Sequence, residues 1–236
     1  MSATLLHVSD PHLTDDPASA ERLRQVLDLA APRRPDAIVA TGDISDRGKP
    51  EEYRAFAELM ANRPPWIAIP GNHDDPATLR AELAQEQCPV LEVDRVRVIG
   101  LDVTVPGEDH GFLRDDVVRA AGTAAQGAHQ VVLALHQPPV EIGHPFVDAI
   151  PLTNPDVLVE LVQRIPRVVA VLSGHVHTPL TSSLAGVPVL GAPGVASELG
   201  VDPDRRPLMV DAGAPGMALH HIDDGGTVTT TFHHAA

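Results

Sequence analysis

The stretch Thr4-Leu5-Leu6-His7-Val8-Ser9-Asp10-Pro11-His12 decides the fold. Its first five residues make a short, largely apolar run suited to a buried strand, and Ser9-Asp10-Pro11-His12 opens that run into a polar loop. The same grammar returns twice. Asp36–Ala40 is short and β-branched and breaks at Thr41-Gly42-Asp43, and Trp66–Ile69 breaks at Pro70-Gly71-Asn72-His73-Asp74. Between these runs the apolar spacing is helical: Leu23, Val26, Leu27 and Ala30 fall on one face of Ala20–Ala31, which Pro32 and Pro35 end, and Glu51–Ala61 is a second amphipathic helix. Strand, polar loop and helix in alternation predict an α/β protein whose chemistry gathers on loops at the carboxyl ends of its strands.

Further along, strands are predicted over Arg95–Leu101, over Gln130–Leu135 (ending at His136) and over Arg167–Leu172 (ending at Ser173-Gly174-His175-Val176-His177). Helices are predicted over Asp115–Gln126 and Pro155–Arg164. After His177 the chain changes to short segments split by Gly and Pro. Leu180–Leu184, Val187–Leu190, Leu208–Val210, Met217–Ile222 and Thr227–Phe232 read as antiparallel strands in hairpins. There is no internal repeat, low-complexity tract or linker, so residues 1–236 read as one domain, with the polar loops inside 10–177 and a β-rich part over 178–236.

Composition narrows the function classes. Lys plus Arg at 17 against Asp plus Glu at 32 leave a net charge of −15, which repels nucleic-acid backbones and anionic membranes. Six aromatic residues are too few and too scattered for a base-stacking platform. The single cysteine, Cys88, excludes an internal disulfide framework and fits a reducing compartment. The N-terminus carries no signal-peptide pattern, and no apolar run reaches the roughly 18 residues of a membrane helix. The expectation is a soluble, cytoplasmic protein with neither nucleic-acid nor membrane partners.

Five loops that each follow a predicted strand carry metal-competent side chains: Asp10 and His12; Asp43; Asn72 and His73; His136; and His175 and His177. Any one of these is ordinary, since a histidine at a strand end is commonly a hydrogen-bonded structural residue and Pro70-Gly71-Asn72 suits a tight turn. Their coincidence points to a metal site. Neutral imidazole and carboxylate suit Mn, Fe, Zn or Co, and the absence of thiolates argues against a soft structural zinc site. A shared carboxylate can hold two such ions about 3.5–4 Å apart, and Asp43 is the natural bridge.

These residues, in this order, resemble the calcineurin-like metallophosphoesterases over residues 4 to about 195. Within that superfamily the strings LLHVSDPHL, VATGDISDRG, IPGNHD, LALHQPP and LSGHVHTPL are most similar to the class III cyclic-nucleotide phosphodiesterases, the bacterial cyclic-AMP group. The resemblance implies a four-layer α/β/β/α sandwich with two mixed β-sheets. It implies that Asp10, His12, Asp43 and His177 hold one metal and that Asp43, Asn72, His136 and His175 hold a second, both being Fe, Mn or Zn. The implied reaction is hydrolysis of a small phosphodiester, with 3′,5′-cyclic AMP or a related cyclic nucleotide foremost, by in-line attack of a hydroxide bridging the metals. His73 would face the leaving oxygen as proton donor or cationic stabiliser, and Asp74 would orient its ring. The family is often dimeric, which makes a homodimer possible.

One departure stands out: the subgroup often has a second histidine where this chain has Gln137, which puts a substrate-side contact in question. Gly107–Phe112 resembles the loop bordering the family's substrate pocket, yet His110 and His144 read as solvated loop residues. His7 reads as packed or hydrogen-bonded, Cys88 as structural, and His129, His220, His221, His233 and His234 as surface or sheet-edge residues. Two other functions fit the same motifs. One is a phosphomonoesterase or phosphoprotein phosphatase, against which stands the lack of arginines in the ligand loops apart from Arg47. The other is a non-catalytic scaffold, against which stands the full complement of ligand positions.

Overall fold

The computed structural model describes residues 2–201 and 208–235. The opening stretch forms β1 (Ala3–Val8), which runs parallel to β2 (Ala37–Thr41), itself parallel to β3 (Trp66–Ile69). Helices α1 (Pro17–Ala30) and α2 (Pro50–Met60) make the two crossovers. From the far end of the chain, β12 (Gly216–Ile222) pairs antiparallel with β1, and β13 (Val228–His234) pairs antiparallel with β12, giving the order β13-β12-β1-β2-β3.

The second sheet is built from β4 (Val90–Val93), β5 (Val96–Gly100), β6 (Gln130–Ala134), β7 (Val168–Ser173), β8 (Leu180–Leu184) and β9 (Val187–Gly191). Its order is β4-β5-β6-β7-β9-β8; the four central strands are parallel, and β4 and β8 close the edges antiparallel. Parallel strands must be covered on both faces, and they are. Leu5, Val39 and Ile69 of the first sheet meet Val98, Val132 and Leu172 of the second in a core between the sheets. On the first sheet's outer face Leu27 of α1, Phe56 of α2 and Leu79 of α3 (Pro76–Leu83) cover Leu6, Ile38 and Ala68. On the second sheet's outer face Val117 of α4 (Asp115–Ala124) and Leu161 of α5 (Pro155–Arg164) cover Ile99 and Leu133. Two mixed sheets between helical layers form the expected α/β/β/α sandwich. No helix among the described residues is long and apolar enough to cross a membrane.

The structure departs from the sequence reading at particular places. Helix α1 begins at Pro17 because the Asp16 carboxylate accepts from Ala18 N at 2.9 Å and proline suits the first helical position. Helix α3 and strand β4 have no counterpart in that reading. Nor has β10 (Glu198–Gly200), which pairs with β11 (Met209–Asp211), one residue beyond the predicted Leu208–Val210, as a small hairpin outside both sheets. Arg22 of α1 ties down the chain just before β10 and just after β11, donating from Nε to Val195 O (2.8 Å) and from a terminal nitrogen to Ala212 O (2.5 Å). His220, expected at the surface, is fully buried because its register opposite Leu5 turns it into the space between the sheets. His144, expected in solvent, is also buried, and its Nδ1 accepts from Phe146 N at 3.3 Å.

Candidate metal centre

The parallel strands deliver their carboxyl ends to one edge of the sandwich. β1 leads into Asp10 and His12, β2 into Asp43, β3 into Asn72 and His73, β6 into His136, and β7 into His175 and His177. Backbone hydrogen bonds lock these loops together: Asp10 N donates to Gly42 O (3.1 Å), His12 N to Asp43 O (2.9 Å), and Gly174 N to His136 O (2.9 Å). Five of the seven candidate ligands adopt positive φ, namely Asp10 (55°), His12 (42°), Asp43 (48°), His175 (69°) and His177 (53°). Such backbone is unfavourable for residues with a Cβ and persists where surrounding structure enforces it, characteristically at functional sites. Gly174 permits the closest approach, since a Cβ there would lie 2.0 Å from Ser9 Oγ.

The side chains converge in two groups. In the first, His177 Nε2 lies 3.3 Å from Asp10 Oδ1 and 3.3 Å from His12 Nε2, which is 3.4 Å from Asp43 Oδ2. In the second, His136 Nε2 lies 3.4 Å from that same Asp43 oxygen and 3.1 Å from Asn72 Oδ1, which is 3.0 Å from His175 Nδ1. Ions with metal–ligand distances of about 2.0–2.2 Å have ligand-to-ligand edges of roughly 3.0–3.4 Å, as these groups do.

The proton arithmetic calls for a proton or a metal ion among these donors. His136 Nδ1 donates to Thr41 O at 2.7 Å and His12 Nδ1 to Asp46 Oδ1 at 3.3 Å, so each neutral ring turns the lone pair of Nε2 toward other acceptors. His175 Nε2 is buried with no hydrogen-bond partner. An imidazole nitrogen facing another imidazole nitrogen and two carboxylates is unfavourable unless a proton or metal ion lies between them. The residues therefore fit a pair of metal ions, with Asp43 placed to touch both.

Without metal, protons play that part. Burial opposes a charge on His136, but Asp43 and Asp10 beside it prevail and raise its pKa to about 9. Burial likewise works against ionised Asp10, and His177 and His136 overcome it, taking the carboxyl down to about 2. Asp43 is held well below the usual carboxylate range by His136 and His12 despite its burial. His175, buried beside the cationic His136, is pushed down to about 4.

The two expected catalytic residues sit differently. His73 is the most exposed of the set; its backbone N donates to Asp43 Oδ1 (2.9 Å), and its Nδ1 lies 3.1 Å from Asp46 O. Donation from Nδ1 leaves Nε2 as the working atom. Asp74, expected to orient that ring, instead accepts from the backbone nitrogens of Ile44 (3.1 Å), Ser45 (2.9 Å) and Gly71 (2.8 Å), tying the β2 and β3 loops together. Burial and the neighbouring Asp43 charge raise its pKa to about 7. The residue that meets both His12 and His73 is Asp46, which the sequence reading passed over. Its place three residues after Asp43, on the same loop, was the available signal.

A cavity of about 510 Å³ opens onto the centre. Its lining combines Asp43, Asn72, His73, His175 and His177 with the apolar Phe146, Ile150, Leu199 and Val210. Asp46 and Asp109 add carboxylates, and neither Lys nor Arg is among the described residues of the lining. Gln137 is not on the substrate side: it is fully buried, and its Nε2 donates to Asp109 O at 2.9 Å, steadying the loop that carries Asp109.

Comparison with known proteins agrees with this geometry. The calcineurin-like phosphoesterase family matches residues 3–179. A 3′,5′-cyclic adenosine monophosphate phosphodiesterase of Pseudomonas aeruginosa is 30% identical, over 97% of this chain and 89% of its own length. A glycerophosphodiester phosphodiesterase of Enterobacter lignolyticus is 28% identical, over 92% and 86%. Among solved structures, a dimetal phosphatase from Danio rerio superposes with a TM-score of 0.65 at 13% identity, over 99% of each chain, which shows a shared fold. A sandwich of this topology, two donor sets sharing one carboxylate, and a family match over most of the chain agree: the chain belongs to the calcineurin-like phosphoesterases.

Proposed function

We propose that the protein is a dinuclear metal-dependent phosphodiesterase acting on a small phosphodiester, with 3′,5′-cyclic AMP or a related cyclic nucleotide as its substrate. The observation that carries this reading is the pair of donor sets meeting at Asp43 Oδ2 beside a cavity with apolar residues in its lining. When bound, the two metal ions supply Lewis-acid polarisation of the phosphoryl group and a water ionised near neutral pH.

The chain's own residues do the rest. Asp10, His12, Asp43 and His177 on one side, and Asp43, Asn72, His136 and His175 on the other, fix where the phosphoryl group sits. Asp46 holds His12 through its carboxylate and His73 through its carbonyl, so that His73 Nε2 is presented to the cavity with a defined tautomer. From Nε2, His73 would give a proton to the leaving oxygen, which becomes a hydroxyl as the ester P–O bond breaks and the oxygen of the attacking water bonds to phosphorus. The apolar lining residues take the organic part of the ester.

Charge favours diesters over monoesters. A phosphodiester carries one negative charge and a phosphomonoester close to two, and the carboxylates of Asp46 and Asp109 in the lining disfavour the more highly charged of the two. The glycerophosphodiester relative supports the same diester chemistry with a smaller organic group. Rates on 3′,5′-cyclic AMP, 2′,3′-cyclic AMP, glycerophosphodiesters and p-nitrophenyl phosphate, with Mn, Fe and Zn in turn, test the proposal. The expected order puts cyclic nucleotides first and the monoester last; a monoester rate above all the diesters contradicts it.

A further inference from the structure

A polar row crosses the largely apolar space between the sheets. Thr230 on β13, His220 on β12, His7 on β1 and Thr41 on β2 stand side by side across four neighbouring strands, and both histidines are fully buried. Thr230 Oγ1 is 2.8 Å from His220 Nδ1, His220 Nε2 is 3.0 Å from His7 Nδ1, and His7 Nε2 is 2.8 Å from Thr41 Oγ1. Beyond Thr41 the chain of contacts turns into the ligand loops. Thr41 Oγ1 donates to Ser9 Oγ (2.8 Å), Ser9 Oγ reaches Thr41 O (3.4 Å), and Thr41 O receives the Nδ1 proton of His136 (2.7 Å).

The proton directions follow from one another. Because the Thr41 hydroxyl donates to Ser9, it accepts from His7 Nε2–H; His7 Nδ1 must then accept from His220 Nε2–H, and His220 Nδ1 from the Thr230 hydroxyl. Every member has its partner and neither histidine carries a charge. Burial and the His220 neighbour hold His7 well below its ordinary range, and burial takes His220 down to about 3, which agrees with two neutral rings. Packing does not require this polarity. Leucine or valine would fill the inter-sheet space without the desolvation that four polar side chains incur.

We infer that this row is a positioning device for His136: it fixes the Thr41 side chain, and with it the carbonyl that sets the tautomer and aim of His136, from as far away as the edge strand β13. Ligating histidines are commonly steered by the acceptor of their second ring proton. Here that acceptor is a backbone carbonyl at the end of β2, and the buried row keeps it in place. The inference rests on His136 holding metal, and it assigns the effect to the ion at Asn72, His136 and His175, not to the one at Asp10, His12 and His177.

The test is calorimetric titration of the metal-free full chain with Mn(II), with Co(II) absorption spectra as a second readout. Thr41→Val, which keeps the carbonyl but loses the hydroxyl, is expected to weaken one of two binding events about tenfold, the low end for outer-shell partners, and to alter one Co(II) spectrum. Thr41→Ser is expected to restore the affinity to within about twofold, and Thr230→Val to weaken the same event roughly threefold. A folded Thr41→Val protein with both affinities unchanged, or with both weakened equally, overturns the inference. Should Thr41→Val fail to fold, Thr230→Val on the edge strand decides, and parental affinity there overturns it. A parent protein with a single binding event removes the two-metal reading and this inference together, whereas two events untouched by these variants remove the inference alone.

Discussion

Asp43 Oδ2 stands 3.4 Å from His136 Nε2, and the same oxygen stands 3.4 Å from His12 Nε2. A single carboxylate oxygen thus belongs to both donor sets. Asp43→Asn leaves a neutral amide at the junction, so it is expected to lower phosphodiester hydrolysis by more than the roughly 10–100-fold that outer-shell changes bring. Atomic absorption on the variant should show fewer ions per chain than on the parent. Wild-type rate and metal content in a folded Asp43→Asn protein would contradict the role given to it.

Metal binding should release protons. His136 has its pKa raised to about 9 by Asp43 and Asp10 against the effect of burial, so near pH 7 the metal-free protein holds a proton that an incoming ion must displace. Affinity is therefore expected to rise with pH up to about 9. Calorimetry at pH 7 in buffers of different ionisation enthalpy should report about one proton released as the second site fills. A buffer-independent binding enthalpy would count against this assignment.

The inter-sheet histidines predict acid sensitivity. Both pKa values lie below the ordinary value in the folded protein, that of His220 at about 3, so the unfolded chain binds protons that the folded chain refuses. Stability is fully present above about pH 6.5 and falls as pH drops toward 3. His220 alone is expected to contribute a loss on the order of 2 kcal/mol between pH 7 and pH 4.5. Denaturant unfolding of metal-free protein should show this loss, and a His7→Leu/His220→Leu double variant should show a smaller one over the same interval. Equal losses in the two proteins would refute the assignment.

Phe146, 58% exposed and lining the cavity, is proposed to offer apolar contact to the organic part of a substrate. Phe146→Ala is expected to raise KM for cyclic nucleotides about tenfold, equivalent to about 1.4 kcal/mol of lost contact, with little change in kcat. A small diester such as a glycerophosphodiester should be affected less. Equal effects on both substrates would place Phe146 outside the binding site.

Much of this was legible before the structure, and the reason is local. A parallel strand buried on both faces reads as an apolar run, and the loop after it as Gly, Pro and polar residues, so β1, β2, β3, β6 and β7 and their ligand residues stood out directly. What stayed hidden depends on pairing. His220 and His221 are adjacent and chemically identical, and only the register opposite Leu5 and Thr230 sends one inside and leaves the other exposed. Strand β10 is three residues long, too short for periodicity to register, whereas its partner β11 was read to within one residue. Helix α3 did carry a signal, Asp75-Pro76 followed by Thr78, and Asp75 does accept from Thr78 N at 2.7 Å. Asp74 was readable as important but not as a backbone clamp, because its partners at Ile44 and Ser45 lie on another loop.

The most direct test is a crystal structure of the protein grown with Mn(II), with anomalous scattering used to place the ions. Two peaks about 3.5–4 Å apart with Asp43 between them is the expected result. One peak alone, or two that do not share Asp43, would contradict the account at its centre.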